Sequence, residues 1–149
     1  MILKKVNLII ILILLNSCGY ESLYSKNNNI EIAIKKIELV GNKNISRKII
    51  INTNLKENQN SNYNLILDSK KLIEVIAKDK NGNASIYKTT IVVNFLLEDD
   101  ATKIKSKKFS SSFSYNNLAN KFDLSQYQKN IEINLINNIT EEILIYLNS

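Results

Sequence analysis

The sequence predicts an α+β fold in which two helices pack on one face of a four-stranded mixed sheet, in the order β-α-β-β-β-α. Four segments alternate apolar and polar residues, which is the period of a half-buried strand. Two other segments, one early and one at the end of the chain, repeat apolar residues every three to four positions, as helices do. An Asn-Gly pair between the second and third strand segments is typical of a hairpin turn, so those two strands should be antiparallel.

The first half of the domain is expected to form a strand, a crossover helix and a long second strand. Residues 30–40 alternate and stop at Gly41, which favours a strand with one buried face. Residues 44–58 change to the helical period, and Ser46 is a candidate N-cap. A long strand follows over residues 63–78, and its middle, LDSKKLIEV, predicts a β-bulge because the apolar residues change parity there.

The third and fourth strands follow a tight turn. Asn81-Gly82-Asn83 supplies the residues that tolerate positive φ, so the chain should fold straight back over residues 85–97. That segment has the cleanest period-two pattern, with these residues on one face: Tyr87, Thr89, Ile91, Val93, Phe95 and Leu97. An acidic turn at residues 98–100 leads to a strand over residues 103–115, with Phe109, Phe113 and Tyr115 on one face. Ile104 has the opposite parity, which leaves its pairing open.

A loop at residues 116–121 precedes the last segment, which predicts a long amphipathic helix. Its apolar residues recur at four-residue steps: Tyr127, Ile131, Leu135, Ile139, Ile143 and Leu147. Packing against the core is the expected role of this stripe, with contact to a membrane or a partner as the alternative.

The N-terminal residues have the layout of a secretory leader. Lys4 and Lys5 precede residues 8–15, which are all Leu or Ile, a run too short for the roughly 20 residues that span a bilayer. Leu15-Asn16-Ser17-Cys18 then resembles the bacterial lipobox, which implies cleavage before Cys18 and a diacylglyceryl group on its thiol. An ordinary leader with an incidental free cysteine is the alternative.

Three parts follow from this interpretation of the leader. Residues 1–17 are the expected lipoprotein signal peptide, residues 18–29 a lipidated polar tether, and residues 30–149 a single α+β domain. Lys4 and Lys5 leave with the leader while every acid stays, so the net charge falls from +6 to +4. This moderate excess of positive charge suits an anionic partner such as a phosphate or a lipid headgroup, although scattered lysines give the same balance.

The composition excludes several kinds of catalytic site. The chain has no histidine and one cysteine, so the common metal sites and histidine-based triads are unavailable. Glu98, Asp99 and Asp100 are candidates for a catalytic carboxylate pair, but an acidic run between two strands is more typical of a solvated turn. We therefore expect no enzyme activity, no metal site and no cofactor apart from the acyl groups on Cys18.

The expected mature chain resembles the LptE family of lipopolysaccharide-assembly lipoproteins. Cys18-Gly19-Tyr20 followed by Leu23-Tyr24 is similar to the family's N-terminal signature, with Ser22 where a proline is usual. The segments Ala84-Ser85-Ile86-Tyr87 and Phe113-Ser114-Tyr115-Asn116 are also similar to the family. The family's frequent arginine in the second strand of the hairpin has no counterpart here.

The resemblance implies a lipid-anchored protein on the periplasmic side of the outer membrane. Such a protein would partner the LptD β-barrel as plug and assembly chaperone, and would assist lipopolysaccharide transport, with no nucleic-acid partner. It also implies that Lys80 and Lys121 contact lipopolysaccharide. The predicted strand directions place the start of the first helix at the same end, which adds these candidates: Lys43, Arg47 and Lys48.

Two other functions remain open at this point. A free-standing lipid carrier would need a deep apolar cavity. A pilot lipoprotein for another outer-membrane complex would have the same leader but a different partner.

Overall fold

The computed structural model describes residues 32–99 and 102–149 and confirms the predicted fold class. The six elements are β1 (Lys36–Gly41), α1 (Lys43–Thr53), β2 (Tyr63–Lys78), β3 (Ala84–Asp99), β4 (Thr102–Asn116) and α2 (Lys121–Leu147). The expected leader and tether, with Cys18, lie outside the described residues, as does Asp100. No helix in the described ranges combines the length and the apolar character needed to span a membrane.

The four strands form one mixed sheet in the order β1-β2-β3-β4. β1 and β2 are parallel because α1 crosses over between them, whereas β3 is antiparallel to both β2 and β4. The strand directions are those expected from the sequence.

Both helices cover the same face of the sheet, and the core lies between the two layers. The predicted alternation of β3 is confirmed: Thr89, Ile91, Val93, Phe95 and Leu97 are all buried, and Tyr87 is partly buried on the same face. The predicted stripe of α2 also forms the core, with Ile131, Leu135, Ile139, Ile143 and Leu147 buried. Tyr127 is the exception, since it stays 40% exposed at the margin of the core.

Ser46 is not the N-cap of α1, contrary to the sequence-based expectation. Asn42 caps the helix, and its side chain accepts a hydrogen bond from the backbone N–H of Ile45. Ser46 is instead fully buried one turn into the helix, where its hydroxyl hydrogen bonds to that of Ser69 on β2. The helix also ends earlier than residue 58, because Asn54 takes a left-handed conformation (φ 55°) directly after Thr53.

The first strand is shorter than residues 30–40. Ile34 makes only an isolated bridge with Glu57, and the paired strand begins at Lys36. Its inward residues are Ile37 and Leu39, so the parity of Ile34 does not continue through the bend at residue 35. Gly41 ends the strand as predicted.

The β-bulges lie elsewhere than expected. The middle of β2 pairs regularly with β3 up to Val75, and the irregularity comes at Val75–Lys78 near the turn. Apolar residues of both parities are tolerated in this part of the strand because it extends beyond β1, so that Leu72 and Ile73 are both about half exposed. A second irregularity explains the parity of Ile104: Leu97 pairs with Lys105 and Glu98 with Lys103, which leaves Ile104 as the extra residue.

Candidate functional site

The β2–β3 hairpin extends far beyond β1 at one end, while β4 stays paired with β3 as far as Ile86. β1 pairs with β2 only from Asn64 to Ser69, and β2 continues for nine more residues to Lys78. At about 3.3 Å per residue this extension is roughly 30 Å long. Three neighbouring segments meet here: residues 78–84 at the tip of the extension, the loop at residues 117–120, and the first turn of α2. We call these three segments together the distal end.

The hairpin turn is built around the carboxylate of Asp79. This carboxylate accepts hydrogen bonds from the backbone N–H groups of Asn81 (2.9 Å) and Asn83 (2.8 Å) and from the side-chain amide of Asn83 (3.3 Å). The backbone N–H of Asn83 contributes most to lowering the pKa of Asp79, so the group stays ionised. Gly82 takes φ 83°, as the predicted turn requires, and Lys80 is exposed beside it.

The start of α2 lies beside the base of this turn. Asn117 fixes the approach, because its side chain donates to the Ala84 carbonyl (2.8 Å) and its backbone N–H to the Ser85 carbonyl (2.8 Å). Asn120 then caps the helix, and Lys121 is its exposed first residue. The structure therefore brings the two lysines implied by the family resemblance to the same end of the molecule.

An aromatic column attaches the first turns of α2 to the sheet. Tyr87 of β3 stacks on Tyr115 of β4 with ring centroids 5.8 Å apart, and Tyr127 of α2 meets Tyr115 edge-on at 5.8 Å. The Tyr115 hydroxyl hydrogen bonds to Thr89 and accepts from the Gln128 amide. The position of Lys121 relative to the hairpin is thus held by packed rings.

Exposed apolar side chains surround the lysines of the hairpin extension. Leu72, Ile73, Val75 and Ile76 on β2 are 45–51% exposed, and Phe122, next to Lys121, is 68% exposed. Leu72 and Ile73 are consecutive strand residues, so the exposed apolar side chains lie on both faces of the hairpin extension. With Lys78, Lys80 and Lys121 beside them, the distal end presents both positive charge and apolar area.

The other three candidate cations are not at the distal end. Gly41 pairs with Ser69, and the backbone N–H of Asn42 donates to the Ser69 carbonyl (2.7 Å), so Lys43 and Arg47 lie beside the middle of β2. The sequence-based expectation of a single basic end is wrong in this respect, because β2 is longer than β1 by the whole hairpin extension.

Lys48 belongs to an ion-pair cluster that the sequence analysis missed. Its ammonium group lies 2.9 Å from one carboxylate oxygen of Glu132 on α2, and Lys71 of β2 lies 2.7 Å from the other. Partial burial raises the pKa of the Glu132 carboxyl, but the hydrogen bonds and charges of Lys71 and Lys48 together outweigh it, so the net shift is downward. This cluster connects α1, β2 and α2, and only the three-dimensional fold brings its members together.

A second basic group lies at the opposite end of α2. Lys105 donates to the Tyr146 backbone carbonyl (3.2 Å), and both Lys105 and Lys107 lie over the Tyr146 ring, at 5.3 and 5.2 Å from its centroid. The last turn of α2 has no basic residue of its own, so β4 supplies the cations that its C-terminus favours. Lysines at the alternate positions 103, 105 and 107 of a strand indicate a basic face, and this pattern could have predicted the group from the sequence.

In the part of the chain that the structure describes, no group of three or more His, Cys, Asp or Glu side chains comes close enough together to hold a metal ion. Of the acidic run at residues 98–100, the two described residues do not lie in a separate turn. Glu98 and Asp99 are the last two residues of β3, and both are partly buried.

Comparison with solved structures finds this arrangement in bacterial lipoproteins. A minor lipoprotein from Acinetobacter baumannii superposes with a TM-score of 0.58 at 16% identity, covering 77% of this chain and 91% of that one. The chain shares a known lipoprotein fold. Lipoprotein B from Nitrosomonas europaea gives a TM-score of 0.57 at 10% identity, with 74% and 80% coverage.

Rare lipoprotein B from Shewanella oneidensis also matches, with a TM-score of 0.50 at 14% identity and coverage of 72% of this chain and 92% of that one. No protein-family model matches the sequence, and no curated protein matches it significantly. At such low identities the likeness concerns the fold alone.

Proposed function

We propose that this chain is a lipid-anchored protein of the outer membrane, facing the periplasm, that partners an LptD-like β-barrel and assists the assembly of lipopolysaccharide. It acts as a plug and assembly chaperone for the barrel, and it binds the phosphorylated glycolipid at its distal end. No covalent chemistry is required of it.

Two observations together support this proposal. The chain shares the fold of bacterial lipoproteins over at least 72% of its length, and its own leader ends in the lipobox-like Leu-Asn-Ser-Cys. Acylation of Cys18 would add two or three chains, each buried methylene contributing about 0.8 kcal/mol of membrane affinity, which is enough for stable anchoring. Gly19 after the cysteine is compatible with transfer to the outer membrane.

The composition of the distal end supports an anionic glycolipid as its ligand. Lys80 and Lys121 supply positive charge, and the start of α2 adds the positive end of a helix dipole. The exposed apolar side chains of the hairpin extension offer a surface for acyl chains. A molecule that carries both phosphate groups and hydrocarbon chains matches both features.

The cations of α1 are expected to contribute less to glycolipid binding than those of the distal end. Lys43 and Arg47 lie roughly 30 Å along the sheet from the turn, by the rise of the nine intervening residues, so one phosphate group cannot contact both sites. Lys48 is already engaged by Glu132. We expect Lys80 and Lys121 to contribute most of the binding.

Binding of lipopolysaccharide to charge-reversed variants tests this assignment. The double variant Lys80→Glu/Lys121→Glu should weaken binding roughly 5- to 30-fold at low salt, since each cation near an anionic surface contributes about 1 kcal/mol. Loss of folding is not expected to cause this effect, because an acid in the first turn of α2 is favoured by the helix dipole. The effect should shrink as salt is added.

Two matched variants make the result specific. Lys35→Glu/Lys56→Glu carries the same change of charge near the start of β2, and it should bind lipopolysaccharide like the original chain. Lys43→Glu/Arg47→Glu tests the α1 cations separately. Equal binding by the distal variant and the first control would overturn the assignment of the distal end.

The two alternatives predict different outcomes. A free-standing carrier should extract single phospholipid molecules into solution, whereas the described core is filled by the side chains of both layers. A pilot lipoprotein should purify with a complex that contains no LptD-like barrel.

A further inference from the structure

A groove of about 420 Å³ lies between α2 and β4, on the side of α2 away from α1. Its floor is made by Ile131 and Leu135, which are both at least 95% buried. Ligand pockets for small molecules start at roughly 300 Å³, so the groove can hold about one or two ring-sized groups.

Two aromatic rings flank the groove and are only partly covered. Phe113 of β4 is 48% exposed and Tyr127 of α2 is 40% exposed. Tyr127 is held in place by its edge contact with Tyr115, so its ring is presented in a fixed orientation. The negative π-face of such a ring attracts the weakly positive C–H groups on one face of a saturated ring.

A row of three asparagines forms the polar side of the groove. Asn130, Asn134 and Asn138 follow each other at four-residue steps on α2, which places them about 6 Å apart along the helix axis. Their amides make no hydrogen bond to another side chain or to the backbone in the described ranges. Each amide offers one acceptor and two donors, which matches a hydroxyl group that both donates and accepts.

The lining of the groove is entirely uncharged. The groove on the opposite side of α2 differs, because Lys48, Lys71, Lys129 and Glu132 line it. An ionic ligand would gain nothing from the uncharged lining, whereas a neutral polyhydroxylated ring with one apolar face fits both the aromatic and the amide side.

We propose that this groove binds a neutral pyranose unit of a glycan. Phe113 and Tyr127 contact the C–H face of the sugar ring, and the asparagine row hydrogen bonds to its hydroxyl groups. The proposal stands on this lining and goes beyond the proposed function, which concerns phosphate groups at the distal end. A soluble glycan and the sugars of a glycolipid headgroup offer the same chemistry, so the experiment separates these two sources.

Saturation-transfer NMR on the full chain, kept in a zwitterionic detergent without a sugar headgroup, provides the test. The probes are methyl glycosides and disaccharides of neutral hexoses, 6-deoxyhexoses and N-acetylhexosamines, together with lipopolysaccharide whose phosphates have been removed chemically. Asn134→Ala should weaken sugar binding about fivefold, as expected for one lost hydrogen bond. Phe113→Ala should weaken it by a similar factor.

Matched controls exclude trivial causes. Asn44→Ala removes an exposed asparagine from α1, and Phe122→Ala removes an exposed phenylalanine outside the groove; neither should change sugar binding. Alanine has a higher helix propensity than asparagine, so loss of binding by Asn134→Ala does not come from a weakened helix.

Each outcome decides the proposal or its source. Selective weakening for the soluble sugars, for the dephosphorylated glycolipid or for both supports the groove and identifies which source it uses. Absence of neutral-sugar binding at millimolar concentrations, or equal binding by the groove variants and their controls, overturns it. The proposed function is tested separately, because soluble neutral sugars carry no phosphate and their binding should be unchanged in Lys80→Glu/Lys121→Glu, the variant that tests the distal end.

Discussion

Gly41 occupies the position at which β1 turns into α1, and no other residue type fits there without strain. Its φ of 69° lies in the left-handed region, and a Cβ at this position would meet the backbone carbonyl oxygen of Ser69. The same carbonyl accepts the N–H of Asn42, so the close approach is part of the connection that starts the crossover helix. Gly82 in the hairpin turn has a similar φ of 83°, but open space surrounds it.

Gly41→Ala should therefore lower the free energy of unfolding by about 2–3 kcal/mol, since it combines backbone strain with a steric clash. Gly82→Ala provides the matched control, because it introduces the strain without the clash and should cost only about 1 kcal/mol. Urea denaturation measures both values. Equal effects of the two substitutions would contradict the close approach of β1 and β2 at Ser69.

The Glu132 carboxylate is partly buried and is held by two lysines, which lower its pKa. Because its folded pKa is depressed, its contribution to stability is present above the pKa of the unfolded chain and is lost as the pH falls through the folded pKa. Its partners Lys48 and Lys71 have side chains that are 46% and 25% exposed, so solvent screening limits the energy of both pairs.

We expect Glu132→Gln to destabilise the chain by about 1 kcal/mol at neutral pH and by less at acid pH, where the original carboxyl is protonated as well. The check is a series of urea denaturations between neutral and acid pH. A difference between the two chains that does not change with pH would show that the ion pairs do not contribute through charge.

At the scale of elements, α2 depends on the cap that positions its first turn. The Asn120 side chain accepts hydrogen bonds from the backbone N–H groups of Phe122 (2.8 Å) and Asp123 (3.4 Å). Without this cap, the N–H groups beside Lys121 would turn toward water, and the distal end would lose part of its fixed geometry.

Asn120→Ala should lower the free energy of unfolding by about 1 kcal/mol, while Asn120→Ser, which keeps a capping oxygen, should cost much less. Hydrogen exchange of the amides in the first turn of α2 locates the effect. The capping role would be contradicted if alanine and serine gave the same exchange rates there.

Periodicity was sufficient to predict which segments form helices and strands, because only one face of the sheet is buried. The alternation from Tyr87 to Leu97 and the four-residue repeat from Ile131 to Leu147 identified the inward faces of β3 and α2, since water excludes those side chains whatever the details of the loops. The sequence could not show where the cap of α1 lies. Ser46 and Asn42 are both good capping residues, and only the contact with Ser69 decides that Ser46 is buried instead.

The candidate site was predictable only where local sequence sets the geometry. The Asn-Gly turn placed Lys80 at a hairpin tip, and the last helix placed Lys121 at an N-terminus. The position of Lys43 depended on the difference in length between β1 and β2, which no local pattern encodes. The pairing of Lys48 with Glu132 joins residues 84 positions apart, so it follows from helix packing alone.

At the scale of the whole molecule, the described chain has two distinct ends. Ile34 bridges to Glu57 and the backbone N–H of Lys35 donates to the Tyr63 carbonyl, so the first described residues lie beside the start of β2. The hairpin turn lies at the other end of this 16-residue strand, roughly 50 Å away by the strand rise. A membrane anchor on the N-terminal side would therefore join the described chain at the end opposite the distal lysines.

We propose that this protein partners an outer-membrane β-barrel. The most direct test is purification of the tagged full chain from membranes extracted in detergent, followed by mass spectrometry of the proteins that remain bound. We expect one LptD-like β-barrel in an amount equal to the tagged chain. Recovery of the chain without such a barrel, alone with phospholipid or with a different envelope complex, would contradict the proposed partnership.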